Sequence, residues 1–495
     1  MHNLFARKNL NDLLNEAGAE HGLRRVLGPW NLVTLGVGAI IGAGIFVITG
    51  QVAAQFAGPA IVLSFVLAAI TCAFAGLCYA EFASMIPLAG SAYTYSYATL
   101  GEVIAWIIGW DLILEYAFGA ATVAVSWSGH LRAFLRDLGI HLPVMPEFTF
   151  TFFRTVLHVK ADYVGFLVIL LVTAVLVLGI KESANFSAAV VLLKVATVCV
   201  FVALATAFLW SHSWQPNYWH PFIPPNTGER GHFGWSGVFR GAGVVFFAYI
   251  GFDAVSTTAQ EAKNPKRDMP IGLLVPLGIC TVLYIMVSAL LTHLIPYYRL
   301  NVPDPVVQGI RATGQQWATF LVEIGALAGL ASVMLVMLLG QSRVFYSMSR
   351  DRLLWPWAAR IHVRFRTPYI SSIVVGLIVA VLAMLVPLDV LDEMTSVGTL
   401  LAFALVSAGV LVMRKTHPEL NRPFKTPFVP FVPILSIIFS AGLIVSLAPA
   451  TQIRLIAWLL LGLLIYFNYG RKHSKVQLSL MNANSTSASL VEERE

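Results

Sequence analysis

Two short stretches place backbone chemistry where an apolar helix should run unbroken. Gly42-Ala43-Gly44 sits inside GAIIGAGIF (38–46), and Phe247-Ala248-Tyr249-Ile250-Gly251 sits inside GAGVVFFAYIGFDA (241–254). A GxG leads into each, Gly36-Val37-Gly38 and Gly241-Ala242-Gly243. Each glycine costs a helix interior about 1 kcal/mol relative to alanine. No charged residue lies between Arg25 and Glu81, so the peptide groups freed in the first stretch have no water to fall back on. At bilayer depth such groups are tolerable only where they line a cavity or meet a ligand. The N–H groups that open a restarted half-helix suit a carboxylate, and the carbonyls that close the preceding half suit an ammonium. Two such breaks together describe a site for the paired charges of an α-amino acid. The Gly38/Gly42 GxxxG taken alone would equally serve close helix packing. A dinucleotide loop is excluded, because it needs a strand and a soluble βαβ unit.

Charges buried in apolar runs are the second source of chemistry. An ionisable side chain in a membrane span costs about 2.5–3.5 kcal/mol on insertion scales and marks function by default. Lys194 is the only charge between Glu182 and Glu229. It lies roughly 12 Å into its span at 1.5 Å per residue. Asp111 and Glu115, four residues apart, share a helix face; Glu115 is the deeper and the better candidate to carry a proton. Asp253 follows the second break directly, either capping the restarted half-helix or exchanging a proton with Lys194 or Glu115. Glu323 reads as a structural contact near the outer rim. Glu81 is expected to pair with one of Lys263, Lys266, Arg267, Arg343, Arg350 or Arg352 as an inner salt bridge.

The elements that must position these groups are helices. The chain has 495 residues, 58% hydrophobic and 12% charged, with a mean hydropathy of +0.77. Soluble domains carry about 25% charged residues, so the composition is that of an integral membrane protein. Its net charge of +7 resides in short loops between apolar runs and reflects topology, not nucleic-acid binding. The four cysteines lie in apolar runs without disulfide or metal-ligand spacing. With no HExxH, no GxSxG and no clustered His or Cys, enzyme chemistry is excluded; without a repeated filter or charged ring, so is a channel.

Twelve spans of about 20 residues are expected to start near 29, 58, 101, 161, 186, 236, 271, 316, 369, 393, 429 and 453. AGPA (57–60), PLAGS (87–91), NPKRDMP (264–270), RTP (366–368) and KTP (425–427) punctuate them. Most of the 32 Lys and Arg fall on the side of both termini, which places those termini in the cytoplasm. The expected organisation is an N-terminal segment (1–24) with an amphipathic helix over 3–17 on the membrane surface, and an all-α core of ten spans (25–414). Two further spans (415–470) and a disordered polar tail (471–495) follow. The loops at 129–160 and 211–235 are expected to pack on the membrane surface.

From about residue 25 to 472 the chain resembles the amino acid–polyamine–organocation (APC) superfamily of transporters, in particular its cationic amino acid transporter branch and bacterial relatives. The likeness rests on GAIIGAGIFVITG, YAEFASMIPLAGSAYTYSY (79–97), GWDLILEY (109–116), VFFAYIGFDAVSTTAQEAKNPKRDMPIG (245–272) and GQSRVFYSMSRD (340–351). It implies a five-plus-five inverted repeat with discontinuous helices 1 and 6, then two further helices, working by alternating access in the cell membrane. It carries carboxylate contacts onto Gly42, Ala43 and Gly44, flanked by Ile40 and Ile41. The amino-group carbonyls fall on Phe247, Ala248 and Ile250, with the Phe247 ring as a lid. Lys194 matches a span-5 lysine that replaces a coupling cation, which implies proton coupling with Glu115 and Asp253 in support. Met337 matches a position lining the side-chain pocket, though a lipid-facing residue would read the same way. Its bulk, with no carboxylate nearby, favours neutral L-amino acids. The vertebrate members have fourteen spans against twelve here, and Leu354-Trp355-Pro356 carries an extra residue relative to the usual pattern. Amino acid or polyamine exchange, or sensing without flux, are the alternatives. Protons are the expected co-substrate. No cofactor, metal or nucleic acid is expected, and a small accessory membrane subunit leaves no signature in these residues.

Overall fold

The computed structural model describes residues 4–8, 27–86, 91–152, 155–179, 184–212, 216–363, 365 and 367–479. An apolar chain in lipid must satisfy its peptide groups within each segment, and helices do so nearly throughout. In order they are α1 (Pro29–Ile40), α2 (Thr49–Val52), α3 (Ile61–Met85), α4 (Ser91–Thr99), α5 (Glu102–Asp137), α6 (Tyr163–Leu178), α7 (Ala184–Ser211), α8 (Gly234–Val245) and α9 (Phe252–Ser256). Then come α10 (Pro265–Leu294), α11 (Pro305–Ala312), α12 (Gln316–Arg350), α13 (Tyr369–Leu385), α14 (Leu388–Thr416), α15 (Phe431–Ser446) and α16 (Pro449–Ile465). Among the described residues eight helical runs are long and apolar enough to cross a membrane. Four shorter apolar helices, α1, α6, α13 and α15, accompany them.

Burial sorts these helices. In the run Gly234–Ser256 89% of the most apolar stretch is buried, against 22% in Pro449–Ser479. The former is therefore central, and the latter lies at the periphery. Indole hydrogen bonds dock α16 on α5: Trp110 donates to the Trp458 carbonyl (2.8 Å), Trp458 to that of Trp110 (3.2 Å), and Trp106 to that of Gly462 (2.9 Å).

Several expectations change in the structure. The third apolar helix runs to Asp137, well into the expected loop at 129–160, and the rest of that loop contains a hairpin. Its strands β1 (Glu147–Phe152) and β2 (Thr155–Lys160) pair antiparallel, with Glu147 opposite Lys160 and an ion pair between them (3.2 Å). The alternation of EFTFTF is the period of a strand. Residues 4–8 form a turn and an irregular stretch instead of a helix: the Leu4 and Ala6 carbonyls accept from the N–H groups of Val103 and Glu102. Those are orphan donors at the start of α5, so the segment caps a helix. The rest of the expected amphipathic helix, like PLAG at 87–90, lies outside the described residues. At the other terminus, 471–479 are largely helical where disorder was expected, because buried Glu102 accepts from Tyr97 (2.8 Å), Tyr466 (2.9 Å) and Ser474. Residues 480–495 lie outside the described residues.

Candidate functional site

Helix α1 ends at Ile40, where Ile41 turns to φ −70°, ψ 103°. The chain restarts as π-helical Gly44–Ile48, then α2, then π-helical Ala53–Ala57. The second break has the same plan. Helix α8 gives way to a 3-10 turn at Phe246–Tyr249, Ile250 is extended, and Gly251 takes φ +116° before α9 begins. A side chain is strained at that φ, and one at Gly251 would also meet the Ala39 carbonyl at 2.7 Å.

The two breaks touch. A Cβ at Gly44 would fall 2.2 Å from the Cα of Ala248, so glycine there is demanded by the contact between the breaks. Tyr284 on α10 joins them: its hydroxyl lies 2.8 Å from the Ile40 carbonyl and 2.9 Å from that of Ala248, and its one proton serves both. Sequence reasoning missed this residue. The available signal was a tyrosine in the apolar run of α10, whose O–H must find a partner when buried.

Lys194, fully buried on α7, reaches the first break. Its ammonium donates to the carbonyls of Gly38 (2.6 Å) and Ile41 (3.1 Å), and its stem lies across Gly329 of α12. Carbonyls at the end of a half-helix carry its negative pole, so the lysine sits where a loose cation would be drawn. Asp253, also fully buried, accepts from the Gly251 N–H (3.3 Å) and from the Tyr116 hydroxyl (3.2 Å). This is the capping option, extended by a link to α5. Glu115 and Asp111 are buried beside it on α5. One oxygen of Glu115 and both of Asp111 have no hydrogen-bond partner among the described residues.

Of the remaining predicted positions, Gly42 and Ala43 form the turn between the halves, and Gly42 packs on Val333. Phe247 is buried and its carbonyl accepts from Ile250 N–H (3.1 Å). A carbonyl has a second lone pair, so Phe247 and Ala248 can each accept again. Met337 is buried, with its sulfur beside Gly119 of α5, which excludes the lipid-facing reading.

A cavity of about 330 Å³ approaches the breaks from the α1 side, lined by Asn31, Thr34, Ala39, Val191, Thr257 and Gly340 among others. Glu261 and Arg343, 3.8 Å apart, also line it. Beyond the break Gly50 packs against Pro305 and the Leu300 carbonyl, closing the opposite side. The expected inner partner of Glu81 is corrected. Glu81 accepts a bidentate pair from Arg414 (2.9 and 2.8 Å), lies 3.4 Å from Arg422 and caps Thr426 N–H (2.8 Å). Glu323 pairs with Arg311 (2.6 Å), a structural contact.

The chain matches the Amino acid permease family over residues 27–466. It is 46% identical over 481 residues to the branched-chain amino acid permease BcaP of Bacillus subtilis, covering 96% of this chain and 99% of that one. It is 41% identical over 475 residues to the methylthioribose transporter of the same organism, covering 96% and 99%. A vacuolar cationic amino acid transporter 4 of Arabidopsis thaliana is 38% identical over 424 residues, covering 85% of this chain and 68% of its own.

Proposed function

Because the chain belongs to the amino acid permease family of the APC superfamily, we propose that it takes up neutral L-amino acids together with protons by alternating access. The single observation that carries the coupling is Lys194 Nζ on the carbonyls of Gly38 and Ile41. In this reading twelve spans form a five-plus-five inverted repeat plus two, in the cell membrane with both termini cytoplasmic. The paired breaks support it, since such interruptions at corresponding helices are the mark of an inverted-repeat carrier.

The substrate carboxylate lies on the N–H groups of Gly42, Ala43 and Gly44, which open the restarted half-helix. Its ammonium is received by the carbonyls of Phe247, Ala248 and Ile250, under the Phe247 ring. A protonated Lys194 holds the end of α1 against the break; losing the proton weakens both hydrogen bonds and frees that end to move. Proton and substrate are thereby linked through one short piece of backbone. Asp253 and Glu115 pass protons toward it from α9 and α5. Met337 bounds the side-chain pocket and favours neutral substrates, in keeping with a relative named for branched-chain amino acids.

Proteoliposomes test this. An imposed inside-alkaline gradient is expected to drive concentrative uptake of L-leucine, abolished by a protonophore. Uptake that ignores the gradient and needs internal amino acid would make the protein an exchanger; specific binding without flux would make it a sensor. The relative named for methylthioribose supplies a second reading, because that compound carries neither an ammonium nor a carboxylate. Failure of excess methylthioribose to compete with L-leucine is the expected result.

A further inference from the structure

Past the first break, a second cavity of about 330 Å³ opens at the far end of the molecule. Its lining is unusually polar for a membrane protein and none of it belongs to the site above. Gln51, on α2, and Asp392, on α14, contribute to it, 6% and 0% exposed; Gln51 Nε2 donates to Asp392 Oδ2 at 3.2 Å. The amide oxygen of Gln51, Oε1, and the second carboxylate oxygen of Asp392, Oδ1, are buried without a hydrogen-bond partner among the described residues. Along one wall Arg240 of α8 donates to Glu393 (3.1 Å) and lies 4.4 Å over the Phe56 ring, and Glu393 also accepts from Thr451. Exposed Asp389 and Arg454 also line it.

Gln51 Oε1 and Asp392 Oδ1 are acceptors and call for a donor, and an ammonium brings three; Arg240 Nε, also buried without a hydrogen-bond partner among the described residues, is a donor and calls for an acceptor. A bare metal ion would leave most of this volume empty and gives Arg454 nothing to do. A zwitterion uses both ends, ammonium on Asp392 and Gln51, carboxylate on Arg454, whose guanidinium binds carboxylates in a two-pronged fashion.

We propose that this cavity is a capture site for a free α-amino acid, occupied before the central site. It rests on the reading that the chain transports amino acids.

Equilibrium binding of radiolabelled L-leucine to the purified full-length protein tests the site. The wild type is expected to show two components, a tighter central one and a weaker outer one. Asp392→Asn and, separately, Arg454→Gln are expected to lose the weaker component and keep the tighter, which also shows that each variant is folded. Arg454 is exposed, so its replacement spares the core if Asp392→Asn fails to fold. A wild type with one component, or a weaker component that survives both substitutions, would overturn the capture site and leave the central site standing. A wild type that binds no amino acid would overturn both.

Discussion

The two helix breaks are built alike and satisfied differently. At the second break the restarted half-helix is capped from within its own chain segment, Asp253 taking the Gly251 N–H. At the first break no acid among the described residues accepts from the N–H groups of the restart, while the carbonyls behind them are held by Lys194 at Gly38 and Ile41 and by Tyr284 at Ile40. The protein supplies its own anion to one restart and its own cation to the other half's end. In the proposed reading an amino acid's backbone brings the anion to the first break and the cation to the carbonyl side of the second, and that asymmetry sets which way round it would lie.

That comparison can be broken in graded steps. The largest effect is expected from Gly44→Ala, whose new Cβ meets Ala248 at 2.2 Å and has only backbone and a short side chain to displace. The breaks must part, and binding of L-leucine should be lost together with a lower melting temperature. Asp253→Ala removes an internal cap, a change worth about 0.5–2 kcal/mol; Asp253→Asn keeps an acceptor and should recover most of the lost stability. Normal thermal stability in both variants would deny Asp253 its capping role. Tyr284→Phe leaves the Ile40 and Ala248 carbonyls without their shared donor. An unsatisfied buried group costs about 1–3 kcal/mol, and loosened contact between the breaks should weaken L-leucine binding without abolishing it. The smallest effect is expected from Met337→Ser, which should leave leucine uptake nearly unchanged while admitting arginine. An unaltered substrate profile would remove Met337 from the pocket.

The two helix breaks and the buried lysine were legible because lipid removes alternatives. Glycines and aromatics that break a helix stand out where no charge occurs from Arg25 to Glu81, and Lys194 stands out for the same reason. Partners across the fold were not legible. Glu81 meets Arg414, 333 residues away, because α3 and α14 end side by side, a fact no local pattern carries. Nor was the close approach of Ala248 that demands glycine at 44 legible, since the two breaks lie some two hundred residues apart in the chain. Local signals were also passed over: EFTFTF has strand alternation, and it forms β1 of a hairpin where a surface loop was expected. Gln51 and Asp392 sit in spans read only for their hydrophobicity, and their pairing appears only when α2 and α14 are brought together.

The central claim is that a fixed lysine holds the carbonyl end of the first break and thereby ties transport to protons. Lys194→Ala, reconstituted in proteoliposomes, tests it most directly through two readouts in one preparation. The account predicts that L-leucine still exchanges across the membrane by counterflow, while accumulation driven by an inside-alkaline gradient is lost. A lysine-free protein that concentrates L-leucine on the gradient as well as the wild type does would contradict it.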